Sequence, residues 1–451
     1  MNKLLDETAD RAAQYLHSLS DRSVAPSPAS VAELEQLGGP LPDTPTDPAQ
    51  ALALLDTVGS PATVATAGPR YFGFVIGGTL PAALAANWLA GAWDQNGAMQ
   101  VSSPVSAKLE EIVLQWTIDL LNLPTGAGAG FVTGTTMANF TSLAAARTTL
   151  LARAGWKVED DGLFGAPPIH VVVGDEVHVS LLKALSLLGL GRSRVTRVPV
   201  DHQGRMRPDA LPPLDERTLI CIQAGNVNTG AFDPAQEICA RAREANSWVH
   251  VDGAFGLWAG LSPQYAPLIA GFNAADSWAI DCHKWLNVPY DSGLAVVREP
   301  KHLQAAMSIS AAYLASSDMR EPWHYVPESS RRGRAIELWA AMRSLGRSGL
   351  RELIERNCRQ ARLFAHLLSE AGFTIFNDVV LNQVLVSFGT PEQTRKTITA
   401  IQNDGTCWCG GTEWQGNTAM RISVSSWATT DEDVRRSADA MIRIAQQTVA
   451  T

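Results

Sequence analysis

The chain has no apolar run near the roughly 20 residues that a membrane-spanning helix requires, and no membrane partner is expected. It has no basic cluster either. Lys and Arg number 36 against 45 Asp and Glu, a net charge of -9, which argues against nucleic acid or an anionic membrane surface as the main partner. Only six cysteines are present. Cys221, Cys239, Cys282 and Cys358 are scattered through apolar surroundings and read as buried free thiols. Cys407 and Cys409 flank Trp408 with no second Cys or His pair at zinc spacing, so they read as structural and no metal site is expected. Internal repeats, low-complexity segments, a Gly-Lys-Ser/Thr phosphate loop and a spaced dinucleotide glycine fingerprint are all missing. Met1 to Leu19 is amphipathic and lacks the apolar segment of a signal peptide, which with the free thiols predicts a cytoplasmic protein.

What is present is an ordinary globular composition, 46% hydrophobic and 18% charged over 451 residues. That length supports two or three domains. Short helices separated by Pro/Gly-rich turns fill residues 1–68, an arm with no large apolar face of its own that is expected to pack on a second subunit. An aromatic, Gly-rich stretch, Pro69 to Gly78, leads into helices at Pro81–Ala92, Val105–Leu121 and Met137–Arg153, with a loop expected at Gly126–Gly130. Strands then alternate with helices. Strands are predicted at Ile169–Val173, Arg194–Val200, Leu219–Gln223, Trp248–Val251, Trp278–Asp281 and Gly293–Val297. Helices are predicted at Val179–Leu188, Pro208–Leu214, Pro234–Asn246 and Pro263–Gly271. This alternation specifies an α/β class with a mostly parallel sheet flanked by helices, over residues 69–327. Residues 328–451 read as a smaller α+β domain: long helices at Arg331–Leu345 and Leu350–Ala371, strands at Asn382–Phe388 and Ala419–Ser425, and a closing helix from Asp431.

Polar groups gather where strands end, the place where open α/β sheets bind ligands. Thr133-Gly134-Thr135-Thr136 precedes a helix and suits a phosphate, or is an ordinary N-cap. His178 stands at a helix start, where it caps, packs or stacks on a flat cofactor. Gly225-Asn226-Val227 follows a strand as a ligand-approaching loop or a simple turn. Asp252 ends the run Val249-His250-Val251, where a carboxylate is costly unless paired. Lys284 follows Ile280-Asp281-Cys282-His283 beside Trp285, a candidate nucleophilic amine. Together Asp252 and Lys284 are sharper than either alone. A cofactor carrying an aldehyde and a ring nitrogen needs an amine to hold the first and an acid to keep the second protonated. Pyridoxal 5'-phosphate has both, and a phosphate for the threonine turn.

With these residues in view the sequence resembles the pyridoxal phosphate-dependent group II amino-acid decarboxylases, of the aromatic and glutamate type. The resemblance runs from about Pro69 to the C-terminal helix. It rests on Val251-Asp252-Gly253-Ala254, His283-Lys284-Trp285-Leu286, the Thr-Gly-Thr-Thr turn and His178 ahead of Lys183-Ala184. Ser103-Pro104 before Leu109-Glu110, and Arg331-Arg332-Gly333-Arg334 before Leu338-Trp339, add to it. It implies the aspartate-aminotransferase-like fold type I and a homodimer embraced by its N-terminal arms. It implies that Lys284 holds the cofactor covalently, that Asp252 binds the ring nitrogen, and that His178 and Ala254 lie on its two faces. Thr135, Thr136 and His283 would lie near the phosphate, and Tyr71, Phe72 and Phe74 in the substrate pocket.

Three departures mark a divergent branch. The family's Asn-Pro-His-Lys is here Asp281-Cys282-His283-Lys284, and a carboxylate facing a phosphate dianion is expected to point elsewhere. Gly225-Asn226-Val227 replaces Gly-Thr-Thr. The mobile-loop tyrosine that protonates the product falls at Glu321 or Pro322 in the segment from Leu314 to Ser330, which leaves Tyr325 or His324 as substitutes. The expected reaction is α-decarboxylation of an L-amino acid to the amine and CO2, with Lys284, His178, Asp252 and Tyr325 as catalytic residues. The alternative is a pyridoxal phosphate aminotransferase or decarboxylating aldehyde synthase. The aromatics near Tyr71 favour an aromatic or bulky substrate, or are core. Arg70 could serve an acidic side chain, and Arg421 a substrate carboxylate or merely a strand surface.

Overall fold

The computed structural model describes residues 2–309 and 320–449. Its chain forms two compact units, Met1–Ile76 with Arg362–Phe376 and Val384–Thr451, and Gly77–Ala361 with Asn377–Gln383. The chain passes between these units at 76/77, 361/362, 376/377 and 383/384. The arm belongs to the same compact unit as the C-terminal segment.

The larger unit is built on seven strands: β1 Gly128–Val132, β2 His170–Gly174, β3 Thr196–Val198, β4 Thr218–Gln223, β5 Trp248–Asp252, β6 Ser277–Asp281 and β7 Gly293–Val297, in the order β1-β7-β6-β5-β4-β2-β3. Strands β2 to β6 pair in parallel, while β7 runs antiparallel to both β6 and β1. Every residue of β4, β5, β6 and β7 is buried, as expected of a sheet covered on both faces. The near-continuous apolar runs that announce such strands are interrupted by Ser277, His250, Asp252 and Asp281, each at most 5% exposed.

Differences from the expected elements are local. Gly126–Gly130, expected as a loop, contributes most of β1. The helices expected at Pro208–Leu214 and Pro263–Gly271 shrink to single 3₁₀ turns, Pro208–Ala210 and Ala266–Ile269. Pro212, Pro213 and Pro267 remove the donors a longer helix would need. The long helices after Arg331 are one element, Ala335–Glu370, broken at Gly346, whose φ is 59°. Glu110, on helix Pro104–Leu120, is fully buried and pairs with Arg331 at 2.6 Å and Arg320 at 3.1 Å. Two of the distant motifs behind the family resemblance thus meet as one buried charge cluster.

The other unit carries four strands, β8 Thr374–Ile375, β9 Gln383–Ser387, β10 Gly410–Trp414 and β11 Asn417–Ser423, in the order β10-β11-β9-β8. Tyr71 and Phe72 are core here. Tyr71 stacks on Trp408 at 5.0 Å, and Phe72 meets Phe364 edge-on at 5.0 Å. Only Phe74 of that aromatic group is exposed, at 58%. Arg70 is buried and donates to the carbonyls of Ser20, Arg22 and Thr406, so it clamps backbone rather than meeting a substrate. Arg421 lies in β11, and burial draws its pKa down. All six cysteines are buried and unbridged. No helix among the described residues is long and apolar enough to cross a membrane.

Candidate active site

The carboxyl ends of β4, β5 and β6 define a small cavity lined by His178, Gln223, Gly225, Val227, Asp252, Ala254, Phe255 and Lys284. A larger groove of about 820 Å³, lined by Asp201, Arg205, Asp233 and Gln236 among others, lies elsewhere on this unit and holds none of the expected site residues. Asp252 is the last residue of β5. Its Oδ1 accepts from the Ala254 N–H at 3.3 Å, and its Oδ2 accepts from Asn139 Nδ2 at 3.2 Å. His178 is the N-cap of helix Val179–Leu187, its Nδ1 lying 3.3 Å from the Ser180 N–H and 2.7 Å from the Ser180 hydroxyl. It caps and lines the cavity at once, so the two readings of this residue are compatible.

Beyond β6 the chain turns sharply, held from behind by Trp258 Nε1 donating to the Asp281 carbonyl at 2.9 Å and Trp285 Nε1 donating to Asn357 Oδ1 at 2.9 Å. This presents Lys284, whose side chain is 20% exposed. Its closest charged partner is Asp281. The Asp281 carboxylate does not point elsewhere, contrary to the sequence expectation. Its Oδ2 lies 3.1 Å from Lys284 Nζ, and its Oδ1 accepts from the Thr135 N–H at 2.6 Å and lies 3.4 Å from His283 Nε2. Burial alone would raise its pKa, but Lys284, His283 and Thr135 hold it below the ordinary carboxylate value. The Ser292 N–H donates to His283 Nδ1 at 3.2 Å, so Nε2 carries the ring proton toward Asp281. Gly134 makes room for this cluster. A Cβ there would stand 2.7 Å from His283 Cε1 and 3.1 Å from Asp281 Oδ1.

The structure therefore brings His178, Asp252, Ala254 and Lys284 to one cavity, and places Thr135 and His283 against Asp281 beside Lys284. It does not bring Tyr325 there. Tyr325 packs in a core cluster with Leu143, Trp248 and Leu303, its hydroxyl accepting from Gln304 Nε2 at 2.8 Å and its ring under Arg320 at 4.4 Å. Glu321 accepts from the Gln100 N–H at 2.9 Å. The earlier part of the expected loop, residues 314–319, lies outside the described residues. Sequence reasoning passed over Asn139 and His250, which lie directly behind Asp252. The signal for His250 was a lone polar side chain inside an otherwise apolar buried strand.

A mostly parallel sheet with an amine and a carboxylate at the ends of neighbouring strands defines the class: pyridoxal phosphate enzymes of fold type I. A model described as the pyridoxal-dependent decarboxylase conserved domain matches residues 49–389. The chain belongs to this family. The L-tyrosine/L-DOPA decarboxylase 2 of Lophophora williamsii is 29% identical over 325 residues, 67% of this chain but only 61% of the relative. The aromatic-L-amino-acid decarboxylase of Bacillus atrophaeus is 24% identical over 457 residues, covering 96% of this chain and 93% of the relative. The crystal structure of Oryza sativa TDC with PLP and tryptamine shares the fold, with a TM-score of 0.91 at 22% identity over 99% of this chain and 97% of that one.

The cofactor of the family is pyridoxal phosphate, and the residues present fit it. The Thr135 hydroxyl is buried without a hydrogen-bond partner at a helix N-terminus, a donor suited to a phosphate oxygen. Lys284 and Asp252 share the cavity. The fit is uneven at one point, since the Asp281 carboxylate already takes the Thr135 N–H. A carboxylate at that helix N-terminus would repel a phosphate dianion held there. Asp281→Asn is therefore expected to tighten pyridoxal phosphate binding about tenfold relative to unphosphorylated pyridoxal, a ratio in which the loss of the Lys284 ion pair cancels. Titration of the apoprotein, followed by tryptophan fluorescence, reads both. Weaker phosphate-ester binding relative to pyridoxal in the variant would contradict the repulsion.

Proposed function

We propose that the protein removes the α-carboxylate of an L-amino acid as CO2 and releases the amine, with an aromatic or bulky side chain favoured. The observation that carries this reading is the placement of Asp252 and Lys284 at the ends of the parallel-paired strands β5 and β6, in one cavity. When bound, pyridoxal phosphate supplies an aldehyde carbon and an electron-withdrawing ring that draws off the electron pair of the breaking Cα–carboxylate bond. The rest is done by the chain. Lys284 would be the amine that holds the cofactor covalently until the substrate amine takes its place. Asp252 keeps the ring nitrogen protonated. His178 and Ala254 confine the ring between its two faces. Thr135, Thr136 and His283 serve the phosphate end, with Asp281 holding the Lys284 ammonium whenever that amine is free.

A second reading, a decarboxylating aldehyde synthase or an aminotransferase, is favoured by one observation: Tyr325, the expected substitute for the loop proton donor, is locked in the core by Gln304 and Arg320. Mass spectrometry of products from the pyridoxal phosphate-loaded protein, incubated aerobically with the common amino acids, separates the two. The amine of an aromatic amino acid is the expected product. An aldehyde or oxo acid without amine would replace the first reading by the second.

We further propose a cytoplasmic homodimer joined through the arm, residues 1–68. Leu5, Leu16, Val31, Leu34, Leu54 and Leu55 of the arm are exposed, an apolar surface that a second copy would cover. Six unbridged thiols suit a reducing compartment.

A further inference from the structure

The carboxylate of Asp252 does not stand alone. Behind it, four other buried side chains form one hydrogen-bonded chain that leads away from the cavity. Trp248, His250 and Asp252 alternate along β5 and so share one face of the sheet. Ser277 on β6 lies opposite His250 in register. Asn139, on helix Thr135–Arg153, covers them. Trp248 Nε1 donates to Ser277 Oγ at 2.9 Å. Ser277 Oγ is 2.8 Å from His250 Nδ1, and His250 Nε2 is 2.8 Å from Asn139 Oδ1. Asn139 Nδ2 then donates to Asp252 Oδ2 at 3.2 Å. Trp248, Ser277, His250 and Asn139 are all at most 2% exposed.

The direction of the bonds from Asp252 to His250 Nε2 is set from the carboxylate end. An ionised carboxylate only accepts, so the Asn139 amide must turn its N–H toward Asp252 and its oxygen toward His250. His250 Nε2 must then carry a proton, and in the neutral ring Nδ1 accepts and the Ser277 hydroxyl donates to it. An indole N–H only donates, and it meets the oxygen lone pair that this arrangement leaves free. Turning the Asn139 amide over would set two acceptors face to face at Asp252. Burial keeps the imidazole neutral, pulling its pKa down to about 3. A donor chain of this kind has one consequence at its far end: it is satisfied only when Asp252 turns an accepting oxygen toward Asn139 Nδ2.

We infer that Asn139 and His250 are positioning residues that hold Asp252 as an oriented carboxylate for the ring nitrogen of the cofactor. This rests on the reading of Asp252 given above. Neither residue touches the cavity. Both act through Asp252, and neither brings a charge of its own.

The test compares two ligands on the apoprotein: pyridoxal phosphate and its analogue with carbon in place of the ring nitrogen. The wild type should bind pyridoxal phosphate more tightly than the analogue. Asn139→Leu should lose tenfold or more in affinity for pyridoxal phosphate, shift the visible band of the bound cofactor, and change affinity for the analogue by less than twofold. His250→Leu should behave the same way. His250→Gln, whose amide reaches the Nε2 position and can donate to Asn139, should stay within threefold of the wild type. Equal losses for both ligands would reduce the network to packing and overturn the inference. So would discrimination that survives in His250→Leu, which decides the matter if Asn139→Leu does not fold. If the wild type itself binds the two ligands equally, the reading of Asp252 falls first, and the inference with it.

Discussion

Lys284→Ala is expected to reduce amine formation by roughly 10³-fold or more, the scale seen when a covalent catalytic residue is removed. The variant should still fold. Lys284 contributes one ion pair to its surroundings, and without it Asp281 keeps the Thr135 N–H at 2.6 Å and the facing His283 Nε2 at 3.4 Å. The tryptophan bonds that brace the turn, from Trp258 to the Asp281 carbonyl and from Trp285 to Asn357, do not involve the amine. Cofactor should still bind through Asp252 and the threonine turn, but weakly and without the visible band of the covalently held form. Absorbance spectra and product assays on the same preparation check both statements. Turnover retained together with an unchanged band would remove Lys284 from the reaction altogether.

Asp252→Asn is expected to cost roughly 10²-fold or more in turnover, comparable with the loss of one group that stabilises developing charge in a water-excluded site. The substitution keeps the shape of the side chain and changes two contacts. An asparagine can no longer hold a proton on the ring nitrogen by charge. It must also choose which group to turn toward Asn139, since that amide already offers an N–H. One choice keeps the bond to Asn139 and the other leaves a buried donor unpaired, at a cost of about 1–3 kcal/mol. The kinetic loss should therefore exceed any loss of thermal stability, a split that steady-state rates and apoprotein melting curves measure directly. Near-normal turnover in Asp252→Asn would mean that the ring nitrogen is served by another group.

The parts of the fold that follow from chain periodicity could be read from the sequence, because apolar runs of β2 and β4 to β7 need only a local pattern. Strand β1 could not, for a physical reason. Its Gly128-Ala129-Gly130 start carries none of the branched residues that mark strands. The glycines are there because a Cβ at Gly130 would stand 2.1 Å from the Tyr325 carbonyl and one at Gly128 2.9 Å from Pro300 Cβ. Lys284, Asp252 and His178 were legible as strand-end and helix-start residues. What was not legible depends on partners far away in the chain. Asn139 and His250 are separated by 111 positions and Thr135 and Asp281 by 146. Repulsion from a phosphate was the one force on Asp281 that a linear reading could weigh. The Thr135 N–H, which draws the carboxylate inward, becomes visible only in three dimensions. The expectation that Tyr71 and Phe72 form a pocket failed similarly, because their stacking partners Trp408 and Phe364 lie far along the sequence.

The sulfur atoms of this protein give it an internal clock. Burial pushes the Cys239 thiol up to about 12 and those of Cys221 and Cys282 well above their ordinary value. At neutral pH they hold almost no thiolate, the form that attacks alkylating and oxidising reagents. Such reagents can mark these cysteines only after the surrounding structure has opened, so the rate of labelling measures excursions of the fold rather than the chemistry of sulfur. Cys282 sits two residues before Lys284, with no exposure at all. Its alkylation would record that the floor beneath Lys284 had come apart, and protection of that one thiol by bound cofactor would show how firmly the occupied site keeps the floor closed.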